Sequence, residues 1–120
     1  MEGLLTEWRK IGREADFRKG QGRSLNVGGR QVAVFREGTE WFAVEDACPH
    51  MRARLSEGTI RGCVVTCGWH GWRIDLRTGI ALTRSRACVA TCPVRVERGE
   101  VWIGPWVKNK PPPEEGSGGG

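Results

Sequence analysis

Apolar positions along this chain fall in short runs, and glycine interrupts them every few residues. Gln31-Val-Ala-Val-Phe35 and Trp41-Phe-Ala-Val44 are β-branched and aromatic, and the turn-forming Arg36-Glu-Gly-Thr-Glu40 separates them; this pattern predicts a hairpin. Val94-Arg-Val96 and Val101-Trp-Ile103 repeat it around Glu97-Arg-Gly-Glu100. Leu25-Asn-Val27 runs into Gly28-Gly29, and Cys63-Val-Val-Thr66 is a further strand-like run. Only Glu7 to Phe17 has a mixed, partly helical character, and no internal repeat is visible. Short strands with this punctuation predict an all-β domain, a small sandwich or barrel.

Length refines the picture. The chain has 120 residues, and Lys108-Asn-Lys-Pro-Pro-Pro-Glu-Glu-Gly-Ser-Gly-Gly-Gly120 carries no apolar side chain larger than proline. Such a stretch cannot offset the entropy of ordering it. Residues 1–107 are therefore predicted to form one domain, with 108–120 as a disordered tail. The formal charge is +5, and it is localised. From Cys48 to Ala87 there are seven arginines (52, 54, 61, 73, 77, 84 and 86) against Glu57 and Asp75, while the remaining basic and acidic residues balance. A basic segment of this kind predicts an acidic partner. No run approaches the roughly 18 apolar residues of a membrane span. Met1-Glu-Gly-Leu-Leu-Thr-Glu-Trp lacks the basic and hydrophobic regions of a secretory signal. Five cysteines in that context read as thiols or metal ligands, which places the expected compartment in the cytoplasm.

Two motifs carry the chemistry: Cys48-Pro-His50 and Cys67-Gly-Trp-His70. They contain both histidines of the chain. Close Cys/His pairs on two loops supply a four-coordinate N/S site, which suits either zinc or an asymmetric iron–sulfur centre. Cys63, Cys88 and Cys92 remain. Cys63 and Cys67, like Cys88 and Cys92, are four apart, about 13 Å in a strand at ~3.3 Å per residue. A metal–thiolate bond of about 2.3 Å does not bridge that distance. These three are read as packed thiols. Trp8, Trp41, Trp102 and Trp106 lie on or beside strand-like runs and are read as core or sheet-face residues, whereas Trp69 and Trp72 flank His70.

Together with Leu55-Ser-Glu-Gly58, Cys67-Gly-Trp-His-Gly-Trp72, Asp75-Leu-Arg-Thr-Gly79 and Cys92-Pro-Val-Arg-Val-Glu97, these motifs resemble the Rieske iron–sulfur proteins. More narrowly, they resemble the ferredoxin components of bacterial ring-hydroxylating dioxygenase systems, over roughly Leu5 to Trp106. The resemblance implies an all-β Rieske fold of antiparallel sheets, with a small cluster-binding subdomain (about residues 45–82) capping a base domain. It implies one [2Fe–2S] cluster per chain, with Cys48 and Cys67 on one iron and His50 and His70 on the other. High-potential members carry extra cysteines and Ser and Tyr hydroxyls, at positions that are Ala53, Trp69, Trp72 and Ile74 here. Without a disulfide or those donors, the expected potential is at the low end of the Rieske range, on the order of −150 mV. Met51-Arg-Ala-Arg54 and Gly68 stand where such ferredoxins usually have small residues and proline.

The function implied is that of a soluble one-electron carrier, not an enzyme. It would receive electrons from a flavin-containing NAD(P)H-dependent reductase and pass them to a terminal oxygenase with an acidic docking surface. It would act as a monomer, with no nucleic-acid or membrane partner. A Rieske oxygenase also needs two further histidines for its mononuclear iron, and none remains here. Two alternatives stand beside this reading: a Rieske-like small subunit of a nitrite reductase, and a Cys₂His₂ zinc module binding nucleic acid. Two irons and two acid-labile sulfides per chain would exclude zinc.

Overall fold

The computed structural model describes residues 8–48, 53–68, 71–83 and 87–109. Its strands are β1 (Arg9–Arg13), β2 (Gln21–Val27), β3 (Arg30–Glu37), β4 (Glu40–Glu45), β5 (Thr59–Arg61), β6 (Val64–Thr66), β7 (Arg73–Asp75), β8 (Thr91–Cys92), β9 (Val94–Glu97) and β10 (Glu100–Ile103). They form three antiparallel sheets, ordered β1-β10-β9, β2-β3-β4-β8 and β5-β6-β7. The all-β expectation holds.

The four-stranded sheet is the middle layer, and β3 shows why. Val32, Ala33, Val34 and Phe35 are all fully buried. Alternate residues point to opposite faces of a strand. Val32 and Val34 join a cluster with Val27, Ala43, Cys92, Val101 and Ile103, whereas Ala33 and Phe35 join another with Phe42, Val44, Leu55, Ile60, Val65 and Ile74. One sheet thus separates two cores. The first core packs against the β1-β10-β9 sheet to make the base; the second faces the small β5-β6-β7 sheet. A strand apolar on both faces reads in sequence as a continuous run instead of an alternation.

Both predicted hairpins are present, with longer strands and tighter turns. β2 and β3 pair from Gln21↔Arg36 to Val27↔Arg30, so Gly28-Gly29 closes a two-residue turn with φ of 62° and 87°. Positive φ at both central positions defines the turn that matches strand twist, and glycine adopts it without strain. The reading of Glu7 to Phe17 as partly helical is corrected. Arg9–Arg13 is a strand paired with β10, followed by a single 3₁₀ turn at Glu14–Asp16. The sheet edge offered by β10 overrides local propensity, and the Asp16 carboxylate closes the turn by accepting the Arg13 amide at 2.9 Å. Cys63 lies in the turn before β6 and not in the strand itself.

Lys108 and Asn109, assigned to the tail by composition, are among the described residues. Asn109 donates through Nδ2 to the Val89 carbonyl at 2.9 Å and to Thr91 Oγ1 at 3.3 Å. Residues 110–120 lie outside the described residues, as does Glu7.

Candidate metal centre

β4 carries the chain into the first motif, and β6 carries it into the second. Each cysteine sits at the neck of its loop. The Cys48 amide donates to the Ala53 carbonyl at 2.7 Å, and the Cys67 amide donates to the Trp72 carbonyl at 2.7 Å. Both bonds thus span from a cysteine to the fifth residue beyond it. The second neck is tightened by Gly71, whose amide donates to the Cys67 carbonyl at 3.2 Å.

The two cysteines come to the same place. Cys48 and Cys67 are 1% and 2% exposed, in one apolar cluster with Leu55, Val65 and Ile74. His50 and His70 lie outside the described residues, as do Pro49, Met51, Arg52, Trp69, Arg84 and Arg86. The structure therefore buries both sulfur donors of the expected set in one apolar cluster. A pair of soft donors shielded from water, with histidine two or three residues along each chain, has the chemistry of an iron–sulfur site. The described residues fit the group.

A third turn, from Asp75 to Gly79, follows β7. Burial by itself would raise the Asp75 carboxyl, but hydrogen bonds from the Arg77 side chain and backbone outweigh it and hold the group below its ordinary value of 3.8. Arg77 donates to Asp75 through Nε at 3.2 Å, Nη2 at 3.1 Å and its amide at 2.9 Å. Gly79 closes this turn, at φ 76°, against the Val89 carbonyl, where a β-carbon would overlap. The chain then doubles back, the Leu82 amide donating to the Arg73 carbonyl at 2.7 Å and Thr83 Oγ1 accepting from the Arg73 amide at 3.0 Å.

The remaining thiols are packed, as expected. Cys92 is buried in the base core, while Cys63 and Cys88 are half-buried. Trp72 lies half-buried against the cluster that holds both motif cysteines. Trp41 meets Phe17 edge to face at 5.5 Å, and Trp8 and Trp106 lie under Arg95 and Arg30 at 4.2 Å each, on sheet faces. Of the basic segment, Arg54, Arg61, Arg73 and Arg77 are exposed. Sequence reasoning missed Asp46, a buried carboxylate that accepts from both the amide and the hydroxyl of Ser56 at 2.8 Å. Its neighbour Glu45 makes the pair look like the polar start of a loop, so the sequence carries little signal for it.

Comparison with known proteins identifies the family. A family model described as the Rieske [2Fe-2S] domain matches residues 7–93. The chain is 37% identical over 98 residues to ferredoxin CarAc of Metapseudomonas resinovorans, covering 80% of this chain and 92% of that protein. It is 39% identical over 95 residues to the anthranilate 1,2-dioxygenase ferredoxin subunit of Burkholderia cepacia, covering 79% and 84%. Among solved structures, a ferredoxin–oxygenase complex of carbazole 1,9a-dioxygenase matches with a TM-score of 0.72 at 35% identity, over 80% of this chain and all of the matched one. A putative NADH-dependent nitrite reductase small subunit from Mycobacterium tuberculosis shares the fold, with a TM-score of 0.74 at 24% identity, over 80% and 92%. The chain belongs to the Rieske [2Fe–2S] domain family. Within it, the chain is of the ferredoxin type, an electron-transfer component that uses a Rieske [2Fe–2S] cluster. No helix among the described residues is long and apolar enough to cross a membrane.

Proposed function

We propose that this protein is a soluble, monomeric, cytoplasmic carrier that takes single electrons from a flavin-containing NAD(P)H-dependent reductase and delivers them to the terminal oxygenase of a ring-hydroxylating system. Cys48 and Cys67 hold one iron of its cluster, and His50 and His70 hold the other. About residues 45–82 form the cluster-binding part, on a base made by the rest of residues 1–107. When bound, the cluster supplies a one-electron couple whose imidazole ligation raises its potential above that of all-cysteine clusters. The chain's part is to hold the donors, exclude water and present a docking face. The observation that carries the reading is the burial of Cys48 and Cys67 together, at the necks of two matching loops. Identities of 37% and 39% to ferredoxin components favour this over the nitrite reductase small-subunit alternative, whose 24% likeness speaks for the fold alone.

Docking is assigned to the basic segment, where Arg54 and Arg73 stand exposed. A basic face meeting an acidic recess speeds encounter more than it tightens the complex. The test is stopped-flow oxidation of the reduced protein by a ring-hydroxylating oxygenase across a salt series. Arg52→Glu with Arg54→Glu is expected to slow transfer several-fold at low salt. The difference should close as the screening length falls below ~8 Å. Equal rates at low salt would remove these arginines from the docking face, and failure of the wild type to reduce any such oxygenase would remove the partner assignment.

A further inference from the structure

The first motif segment is bracketed in sequence by two residues that bond to each other and are neither cysteine nor histidine. Asp46, 6% exposed, ends the run out of β4 two residues before Cys48. Its Oδ1 accepts the Ser56 amide and its Oδ2 accepts the Ser56 hydroxyl, each at 2.8 Å. The grip spans ten residues and encloses the whole segment from Cys48 to Arg54. Both bonds are charge-assisted and two-pronged, so they fix orientation as well as distance.

What they grip is itself immobilised. Ser56 belongs to the 3₁₀ turn Leu55–Glu57, whose Leu55 is fully buried. On one side the turn abuts β2 so closely that a β-carbon on Gly22 would come to 2.6 Å from the Ser56 carbonyl oxygen and 2.9 Å from its Cα. On the other side, Gly58 lies against the Thr66 carbonyl, where a β-carbon would overlap, and against Val65 Cγ2. Thr66 is the last residue of β6, immediately before Cys67. One short turn is therefore seated at once on β2, on the clamp below the first motif and on the strand that delivers the second.

We infer that Asp46 is a positioning residue: by clamping Ser56 it refers both motif loops to the Leu55–Glu57 turn and so fixes the relative placement of Cys48 and Cys67. The inference rests on the proposed ligand set. A fixed separation keeps the ligand frame unchanged between oxidation states, so less rearrangement accompanies each electron transferred. Outer partners that orient metal ligands typically change affinity or activity about 10- to 100-fold when removed.

The experiment compares Asp46→Ala, Asp46→Asn, Ser56→Ala and a stability control, Val101→Ala in the base core, on the cluster-loaded protein. The readouts are iron release to a chelator, and the g-values and line widths of the reduced protein by electron paramagnetic resonance. Asp46→Ala should release iron at least about 10-fold faster and broaden the resonance. Asp46→Asn keeps the shape and one carbonyl acceptor, so it should stay within a few-fold of wild type. Ser56→Ala, which removes only the hydroxyl donor, should fall between them and serves if Asp46→Ala does not fold. Iron release and line shape like wild type in both Asp46→Ala and Ser56→Ala would overturn the inference. So would equal changes in Val101→Ala, which would reduce the effect to general destabilisation. Cys48→Ser separates the two levels: a cluster retained there refutes the ligand set, whereas one lost there with a silent Asp46→Ala refutes the clamp alone.

Discussion

The two cores on either side of the central sheet are built by different means. In the central sheet that backs both, β2 and β3 hold seven consecutive residue pairs, and on the base side β9 and β10 hold four across a two-residue turn. On the other side, β5, β6 and β7 have three residues each and contribute three pairs per ladder. A sheet of such short strands has little cooperative strength of its own. Its order comes from local devices: the paired loop necks at Cys48 and Cys67, the Asp46–Ser56 grip and the Asp75–Arg77 turn. The base is held by buried area and is expected to stand without metal. The small sheet and its loops are arranged around a site, and the bound group should complete them.

Removing a ligand breaks that contrast most sharply. Cys48→Ser, Cys67→Ser, His50→Ala and His70→Ala are each expected to abolish the visible spectrum. Cys63→Ser, Cys88→Ser and Cys92→Ser should leave it nearly intact. In the colourless variants, amide exchange should accelerate by orders of magnitude in β5–β7 and stay slow in β3 and β4, because local opening costs less than global unfolding. Uniform acceleration throughout would show a single cooperative unit and remove the contrast.

A matched pair of cavities tests it next. Ile74 and Ile103 are both fully buried, one in each core. Truncating either to alanine should cost about 2–5 kcal/mol by denaturant unfolding. Only Ile74→Ala should also hasten iron loss. If Ile103→Ala does so equally, the base is not independent of the site.

The smallest expected effect is a pH dependence confined to the base. Burial pushes the Cys92 thiol up from 9.0 to about 12. The unfolded chain therefore loses this proton well before the folded protein does. The contribution is fully present below pH 9 and is lost as pH rises from 9 towards 12. Thermal melts of apo-protein should fall across that window, and Cys92→Ala should flatten the slope while lowering the starting stability. An unchanged slope in Cys92→Ala would assign the alkaline loss to other groups.

Much of this was legible in the sequence. The hairpins around Glu37-Gly-Thr-Glu40 and Arg98-Gly99 announce themselves because turn chemistry and β-branched runs are local signals. Cys48 and Cys67 could be picked out by their spacing to histidine, and the structure places both in one buried cluster. Two things were hidden. β1 looked partly helical because its partner, β10, lies about ninety residues away, and pairing at that separation leaves no local trace. Asp46 looked like an ordinary loop residue because its value depends on Ser56 facing it across a turn, which spacing alone does not reveal.

β3 carries a consequence of another kind. Its even-numbered valines, 32 and 34, belong to the base, while Ala33 and Phe35 belong to the side that holds Cys48 and Cys67. The strand works as two interleaved texts read at alternate letters. A substitution edits one text and leaves the other unchanged, so the base can drift, or be redesigned for heat resistance, without rewriting the redox side. A single inserted or deleted residue exchanges the two texts over the rest of the strand, sending Phe35 towards the base and a valine towards the cysteines. Along these few positions, replacement is modular and a change of length is not.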